Sequence, residues 1–249
     1  MLSLVTTPIG NLNDMAPRAV SALRAADVIA CEDTRRTRIL LTHFEIPRPR
    51  ELISYREQME QRSAEYLLRK LEAGLHVAVC SDGGSPGISD PGYRIARLAA
   101  DHDMEMEVLP GPSAVQVALL LSGLSTATYT FKGFPPRKRG AMHRFFEEEK
   151  GAAHTLVIFE SPYRVGKSLE GALAVFGDRE AAVCIELTKK FERVSRGYLG
   201  DLLETFRDKK VKGEVTIVIA GNNPKFARIA ETDLSEETAA PEHGEAVNG

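Results

Sequence analysis

The chain has 249 residues, of which 43% are hydrophobic and 27% charged, with a formal net charge of −3. This balance describes a globular protein of one large domain or two domains of roughly 120 residues, either able to bury a sizeable core, and it excludes a chain too polar to fold. No apolar run approaches the roughly 20 residues of a membrane span, and the widely spaced Cys31, Cys80 and Cys184 fit neither a disulfide framework nor a zinc site, so buried, reduced thiols in a cytoplasmic protein are expected.

In chain order, Leu2 to Thr6 reads as a strand and Thr7-Pro8-Ile9-Gly10-Asn11 as a tight loop. The opening Met1-Leu2-Ser3-Leu4-Val5 has no basic n-region, and a signal peptide is not expected. Pro17 to Ala26 is predicted as a helix with Val20 and Leu23 inward, Asp27 to Ala30 as a strand, and Thr34 to Thr42 as a helix. Between Gln61 and Ala73, Ala64, Leu67, Leu68 and Leu71 recur at helical spacing, and Gly74 ends the helix as a C-cap would. His76 to Cys80 is a short buried strand leading into Ser81-Asp82-Gly83-Gly84-Ser85-Pro86-Gly87-Ile88-Ser89-Asp90-Pro91-Gly92, with a helix starting at Tyr93. That connection is too long and too rich in glycine and proline for an ordinary strand-to-helix turn. Glycine admits a ligand close to the main chain, proline fixes the path, and Asp82 falls at the carboxyl end of its strand, where open α/β sheets bind ligands. A strand at Glu105 to Leu109 follows, then Pro110-Gly111-Pro112-Ser113-Ala114 leads into a helix through Ser122.

Gly123 to Arg139 concentrates Gly, Ser, Thr and Pro and reads as a boundary. Beyond it are predicted a helix near Ala141 to Lys150, a strand at Thr155 to Phe159, a helix from Pro162 to Phe176, a strand at Ala181 to Leu187, a helix at Leu199 to Phe206 and a β-branched strand at Glu214 to Ala220. Strands separated by helices imply mainly parallel sheets with helices on their faces. The expected architecture is α/β: two α/β domains, 1–125 and 126–224, meeting at a cleft, followed by a tail at 225–249. From Glu231 onward the tail holds six acids and no Lys or Arg, leaving 32 basic against 29 acidic side chains elsewhere. A polar stretch of this kind is expected to be disordered, and the mildly basic remainder gives weak support to a polyanionic partner.

Several chemistries are absent. Gly83, Gly84 and Gly87 lack the spacing of a dinucleotide-binding turn, and Gly166-Lys167-Ser168 imitates a P-loop but has Ser161 where the first glycine is required. The six histidines are scattered without metal-ligand spacing, and no Gly-x-Ser-x-Gly elbow of a serine hydrolase occurs. No metal is expected.

Thr7-Pro8-Ile9-Gly10-Asn11-Leu12, Glu32-Asp33-Thr34-Arg35, Ser81 to Pro86 with Asp90-Pro91-Gly92, Pro110 to Ala114, Phe159-Glu160-Ser161-Pro162-Tyr163-Arg164, Glu186-Leu187-Thr188-Lys189-Lys190-Phe191-Glu192 and Lys212-Gly213-Glu214 occur in that order. Together, over about residues 2 to 222, they resemble the tetrapyrrole-methylase superfamily, within it the branch that methylates the ribose 2′-oxygen of a cytidine in small-subunit (16S) ribosomal RNA. The resemblance implies S-adenosylmethionine bound in the interdomain cleft, with Pro8, Ile9, Asp82, Gly83, Ser85, Ser113, Ala114 and Phe159 as donor contacts. Ser113 could equally cap the helix that follows. It also implies ribosomal RNA or the small subunit as partner, and a homodimer.

A ribose hydroxyl is a weak acid, so transfer benefits from a base or from a cation near the developing alkoxide. Lys189 and Glu160 are the candidate catalytic residues. Arg35 is a candidate acceptor contact, although Asp33 or Thr34 beside it could simply cap a helix. Lys132, Arg137, Lys138, Arg139 and Arg144, interleaved with Phe131 and Phe134, could track phosphates, with Arg137, Lys138 and Arg139 as the RNA contacts. One stretch departs from the branch pattern: Tyr55-Arg56-Glu57-Gln58-Met59-Glu60 stands where a histidine- and asparagine-bearing segment is expected, which would alter the acceptor pocket if the stretch lines it. Two rival readings stay open: a methyltransferase of a corrin or porphyrin precursor, which needs no basic segment, and a nucleic-acid-binding module without catalysis, which leaves the glycine-rich loops unexplained.

Overall fold

A computed structural model describes residues 1–228. The acidic run from Glu231 onward lies outside the described residues. Strands β1 (Leu2–Val5), β2 (Val28–Cys31), β3 (Glu51–Ser54), β4 (Val77–Cys80) and β5 (Met106–Leu109) form a sheet in the order β3-β2-β4-β1-β5, with every pair parallel. Strand residues alternate between two cores. Ile29, Cys31, Ala78 and Cys80 pack under α1 (Pro17–Ala25) and α2 (Thr34–His43). Val28, Ala30, Val77 and Val79 pack under α3 (Glu60–Glu72) and α4 (Tyr93–Asp101). The predicted helical spacing of Ala64, Leu67, Leu68 and Leu71 is the buried face of α3.

The second sheet departs from the mainly parallel expectation. Strands β6 (Tyr129–Phe131), β7 (Thr155–Glu160), β8 (Glu180–Ile185), β9 (Arg193–Tyr198) and β10 (Val215–Ile219) lie in the order β6-β7-β10-β8-β9. Only β6 and β7 pair in parallel. The other three pairings are antiparallel, because β10 inserts between the co-directional β7 and β8, and β9 folds back along β8. Helices α6 (Arg139–Glu147), α7 (Val165–Phe176) and α8 (Leu199–Phe206) cover one face of this sheet.

Its other face is covered by α5 (Ala114–Ser122), which follows β5 of the first sheet directly. Val115, Ala118 and Leu119 pack on Val157, Ala182, Cys184 and Val218 of the second sheet. By packing, then, α5 belongs to the second half even though it precedes residue 125. At the far end Lys225 to Arg228, placed in the tail by sequence, hold to the second half: Arg179 bridges to Ala227, and Arg228 Nη1 pairs with Asp178 at 3.2 Å. The three cysteines sit buried and unpaired, and burial pushes the Cys31 thiol up to about 11, well away from reactivity.

Candidate active site

Because the first sheet is parallel, the loops leaving β1, β2, β4 and β5 emerge along one edge, and the strand order reverses direction beside β1. Two of those loops are fastened together. Thr7 N donates to Gly84 O and Gly84 N to Thr7 O, both at 2.9 Å, while the Thr6 and Ser85 hydroxyls share a hydrogen bond of 2.8 Å. Thr7 Oγ1 further donates to Ser81 O at 3.1 Å. A third loop joins through Asp82, whose carboxylate accepts from Asp33 N at 3.1 Å and from Arg36 Nη1 at 3.2 Å. The threonine, serine and aspartate of these motifs thus have a geometric reason: they lock separate loops into one surface.

The second half meets this surface through the segment between β8 and β9. Asn11 N donates to Thr188 Oγ1 at 3.1 Å, across 177 positions of sequence. Gly10 lies so close that a Cβ there would meet Leu187 O at 2.9 Å as well as the Thr188 and Lys189 side chains. Glu186 and Thr188 adopt positive φ of 54° and 62°, a strained conformation at non-glycine residues. The strain is held by Glu186 accepting from Glu214 N at 2.9 Å and by Lys189, whose ammonium pairs with Glu186 at 2.8 Å and Glu214 at 3.0 Å. Burial acts to lower the Lys189 pKa, but these two carboxylates outweigh it and hold the ammonium above the usual lysine range. Gly213 is required beside it, since any Cβ would collide with the Glu186 side chain.

Between the halves lies a cavity of about 510 Å³, within the roughly 300–1,000 Å³ of small-molecule sites. Its lining brings together Ile9, Asp82, Gly83, Ser85, Ser113, Ala114, Phe159 and Glu160 from the predicted set. Pro8 and Lys189 line an adjoining pocket of about 210 Å³ that shares Ile9 and Asp82. Ser113 occupies the N-cap position of α5 without a side-chain capping bond.

Other expected residues stand elsewhere. Arg35 lies outside the cavity lining; its guanidinium is chelated by Asp33, which also caps α2, and this pairing holds the Asp33 carboxyl well below the usual range. Arg137, Lys138 and Arg139 are exposed at the start of α6, also outside the lining. Lys132 is withdrawn from the basic set, paired with Glu148 at 2.7 Å and Glu149 at 3.1 Å. Glu160 lines the cavity but has both oxygens engaged: Oε1 accepts from Ser161 N at 2.6 Å and faces Arg164 at 3.5 Å, and Oε2 accepts from buried Ser168. The P-loop mimic is an ordinary stretch of α7, with Gly166 packed on the Arg207 backbone and Ser168 serving Glu160.

The departing stretch Tyr55 to Glu60 does not line the cavity. Tyr55 is buried under α3, and Glu60 Oε1 accepts from Gly92 N at 3.0 Å and Arg94 N at 3.2 Å, capping α4 and tying down the end of the Ser81 to Gly92 loop.

Four further charged residues line the cavity: Glu32, which the sequence motif Glu32 to Arg35 includes, Asp90 and Glu214, which stand in motifs but were given no role of their own, and Arg36, which no motif includes. Asp90 is the most perturbed. Burial, then the nearby negative charges of Glu32 and Asp82, push its carboxyl up to about 7. The signal was present, since Asp90 opens the Asp-Pro-Gly of the motif, but nothing local distinguishes it from a turn aspartate. A cavity with several carboxylates and open main-chain glycines is suited to a small cationic ligand that carries its own hydrogen-bonding groups.

A profile of the Tetrapyrrole (Corrin/Porphyrin) Methylases matches residues 1–203. Among curated relatives, "Ribosomal RNA small subunit methyltransferase I" of Streptococcus pyogenes serotype M3 is 42% identical over 220 residues, 88% of this chain and 76% of its own. The protein of the same name from Thermotoga maritima is 38% identical over 220 residues, 88% of this chain and 98% of its own. Among solved structures, a cobalt precorrin-4 methyltransferase superposes with TM-score 0.67 at 16% identity, covering 88% of this chain and 94% of its own. A diphthine synthase does so with TM-score 0.71 at 14% identity, covering 91% and 95%. At such identities the structural likeness speaks for the fold alone.

Proposed function

The chain belongs to the tetrapyrrole (corrin/porphyrin) methylase family, and from that premise we propose that it is a methyltransferase of small-subunit ribosomal RNA, using S-adenosylmethionine to methylate the ribose 2′-oxygen of a cytidine. One observation carries the site: motif residues scattered from Ile9 to Glu214 converge on the walls of one cavity. The acceptor class rests on the ribosomal RNA relatives, which match 88% of the chain at 38% and 42% identity.

The residues present fit this donor. Asp82, Asp90, Glu32 and Glu214 offer carboxylates to a cation, while Gly83 and the loop ending at Ser113 leave main-chain groups accessible to the polar ends of the ligand. When bound, the donor supplies a methyl carbon already activated by its positive sulfur. The chain's own part is alignment and exclusion of water, since the transfer is an in-line displacement. Lys189, fixed by two carboxylates at the junction of the halves, is the group we assign to stabilise the developing alkoxide, while the hydroxyl proton passes to bulk water and the methyl group's former sulfur leaves as a neutral thioether. Glu160 serves the site as a brace for the loop from Ser161 to Arg164. The two halves are taken to meet at Pro110-Gly111-Pro112, ahead of α5, and the enzyme to act as a cytoplasmic homodimer. Among the described residues no helix is long and apolar enough to cross a membrane.

Incubation with labelled donor and, separately, small ribosomal subunits, naked RNA and a tetrapyrrole precursor tests the reading. Label is expected at a cytidine ribose of the RNA, and label in the tetrapyrrole alone overturns it. Asp90 adds a pH signature. With its folded-state value at about 7, it is protonated in acid and ionised in mild base. Affinity for a cationic donor therefore rises between about pH 6 and pH 8, and Asp90→Asn flattens that rise. The ligand-free protein changes in the opposite sense: the stability linked to the raised carboxyl is fully present below about pH 4 and is lost as pH rises through about 7. Calorimetric titration and thermal melts across that range check both.

A further inference from the structure

Tyr163 is 90% exposed, and none of the aromatic or cation–π contacts among the described residues includes its ring. Its backbone, by contrast, is pinned. Tyr163 N donates to Ser161 Oγ at 3.4 Å and Arg164 N to Ser161 O at 2.9 Å. The next side chain, Arg164, donates through Nη2 to the carbonyls of Pro135 and Pro136, both at 3.0 Å. This clamp joins two cavity-lining segments, since Ser161 and Pro162 precede Tyr163, and Phe134 precedes the prolines. Just beyond the prolines stand Arg137, Lys138 and Arg139, exposed and without an acidic partner among the described residues. One guanidinium therefore sets an unpartnered aromatic ring and three free cations on the same lip of the cleft.

We propose that Tyr163 is the platform on which an unpaired nucleobase of the RNA acceptor stacks, with Arg137 to Arg139 holding the flanking phosphates. The inference rests on the RNA reading above and adds which side chain engages a base. Stacking is tolerant of base identity and worth about tenfold or more in affinity per base, and it requires a base free of its duplex, because paired bases present no open face. The lip thus selects a single-stranded or flipped-out nucleotide beside the cavity.

The test compares wild-type protein with Tyr163→Ala and Tyr163→Phe. The readouts are donor affinity, methyl transfer to small ribosomal subunits, and quenching of 2-aminopurine in a single-stranded RNA. The expected result is that Tyr163→Ala loses the quenching and raises the KM for subunits by about tenfold or more, with donor affinity unchanged, while Tyr163→Phe keeps both. A Tyr163→Ala protein equal to wild type in quenching and KM, or a Tyr163→Phe protein as impaired as the alanine variant, overturns the stacking role. Wild-type protein that transfers no methyl group to RNA overturns the RNA reading itself.

Discussion

Replacing Glu160 with alanine is expected to lower the melting temperature by about 6–12 °C, the shift that roughly 3 kcal/mol produces in a chain of this size. The carboxylate is 2% exposed and accepts from Ser161 N and Ser168 while facing Arg164. Deleting it leaves a fully buried hydroxyl and a guanidinium, itself mostly buried, without their partner. Glu160→Gln separates this bracing role from a catalytic one. The amide keeps an acceptor and the shape, so methyl transfer measured below the melting range is expected to stay within about tenfold of wild type. A general base converted to an amide would lose on the order of 10²–10⁴-fold.

Lys189→Met is expected to reduce the rate of methyl transfer by about 10²–10³-fold while leaving donor affinity within a factor of a few. The side chain keeps its length but can no longer meet an oxyanion. Loss of the ammonium also removes the shared counter-charge of Glu186 and Glu214, 2.8 and 3.0 Å away. A purely structural role for Lys189 would therefore show as a lowered melting temperature, restored together with activity by the double variant Lys189→Met, Glu186→Gln. A role at the acceptor leaves that double variant stable and still slow. Single-turnover rates beside thermal melts distinguish the two.

How much of this was legible in the sequence differs from element to element. The helical spacing in α3 and the alternating strands of the first sheet were readable because each has one or two buried faces with a fixed period. Strand β9, Arg193-Val194-Ser195-Arg196-Gly197-Tyr198, was not, being a polar edge strand whose pairing comes from β8 and not from its own composition. The antiparallel insertion of β10 was hidden because strand–helix–strand order describes β7 and β8 correctly and says nothing of what slips between them. At the site, the loop after β4 was legible as a ligand loop from its glycine and proline. Asp90 and Arg36 were not, since their importance lies chiefly in neighbours dozens of positions away: Glu32 for the one, Asp82 for the other.

The placement of α5 bears on how such a chain can be inherited and divided. Its first turn carries Ser113 and Ala114 to the cavity, while its buried side chains complete the core of the second sheet. A cut at the compositional boundary near residue 125 would leave the first fragment with an apolar helix facing water and the second with one sheet face bare. The natural seam lies earlier, at Pro110-Gly111-Pro112, where the polypeptide passes from one core to the other. Recombination between relatives, or reassembly of the protein from two separately made pieces, would preserve both cores only if the joint falls there.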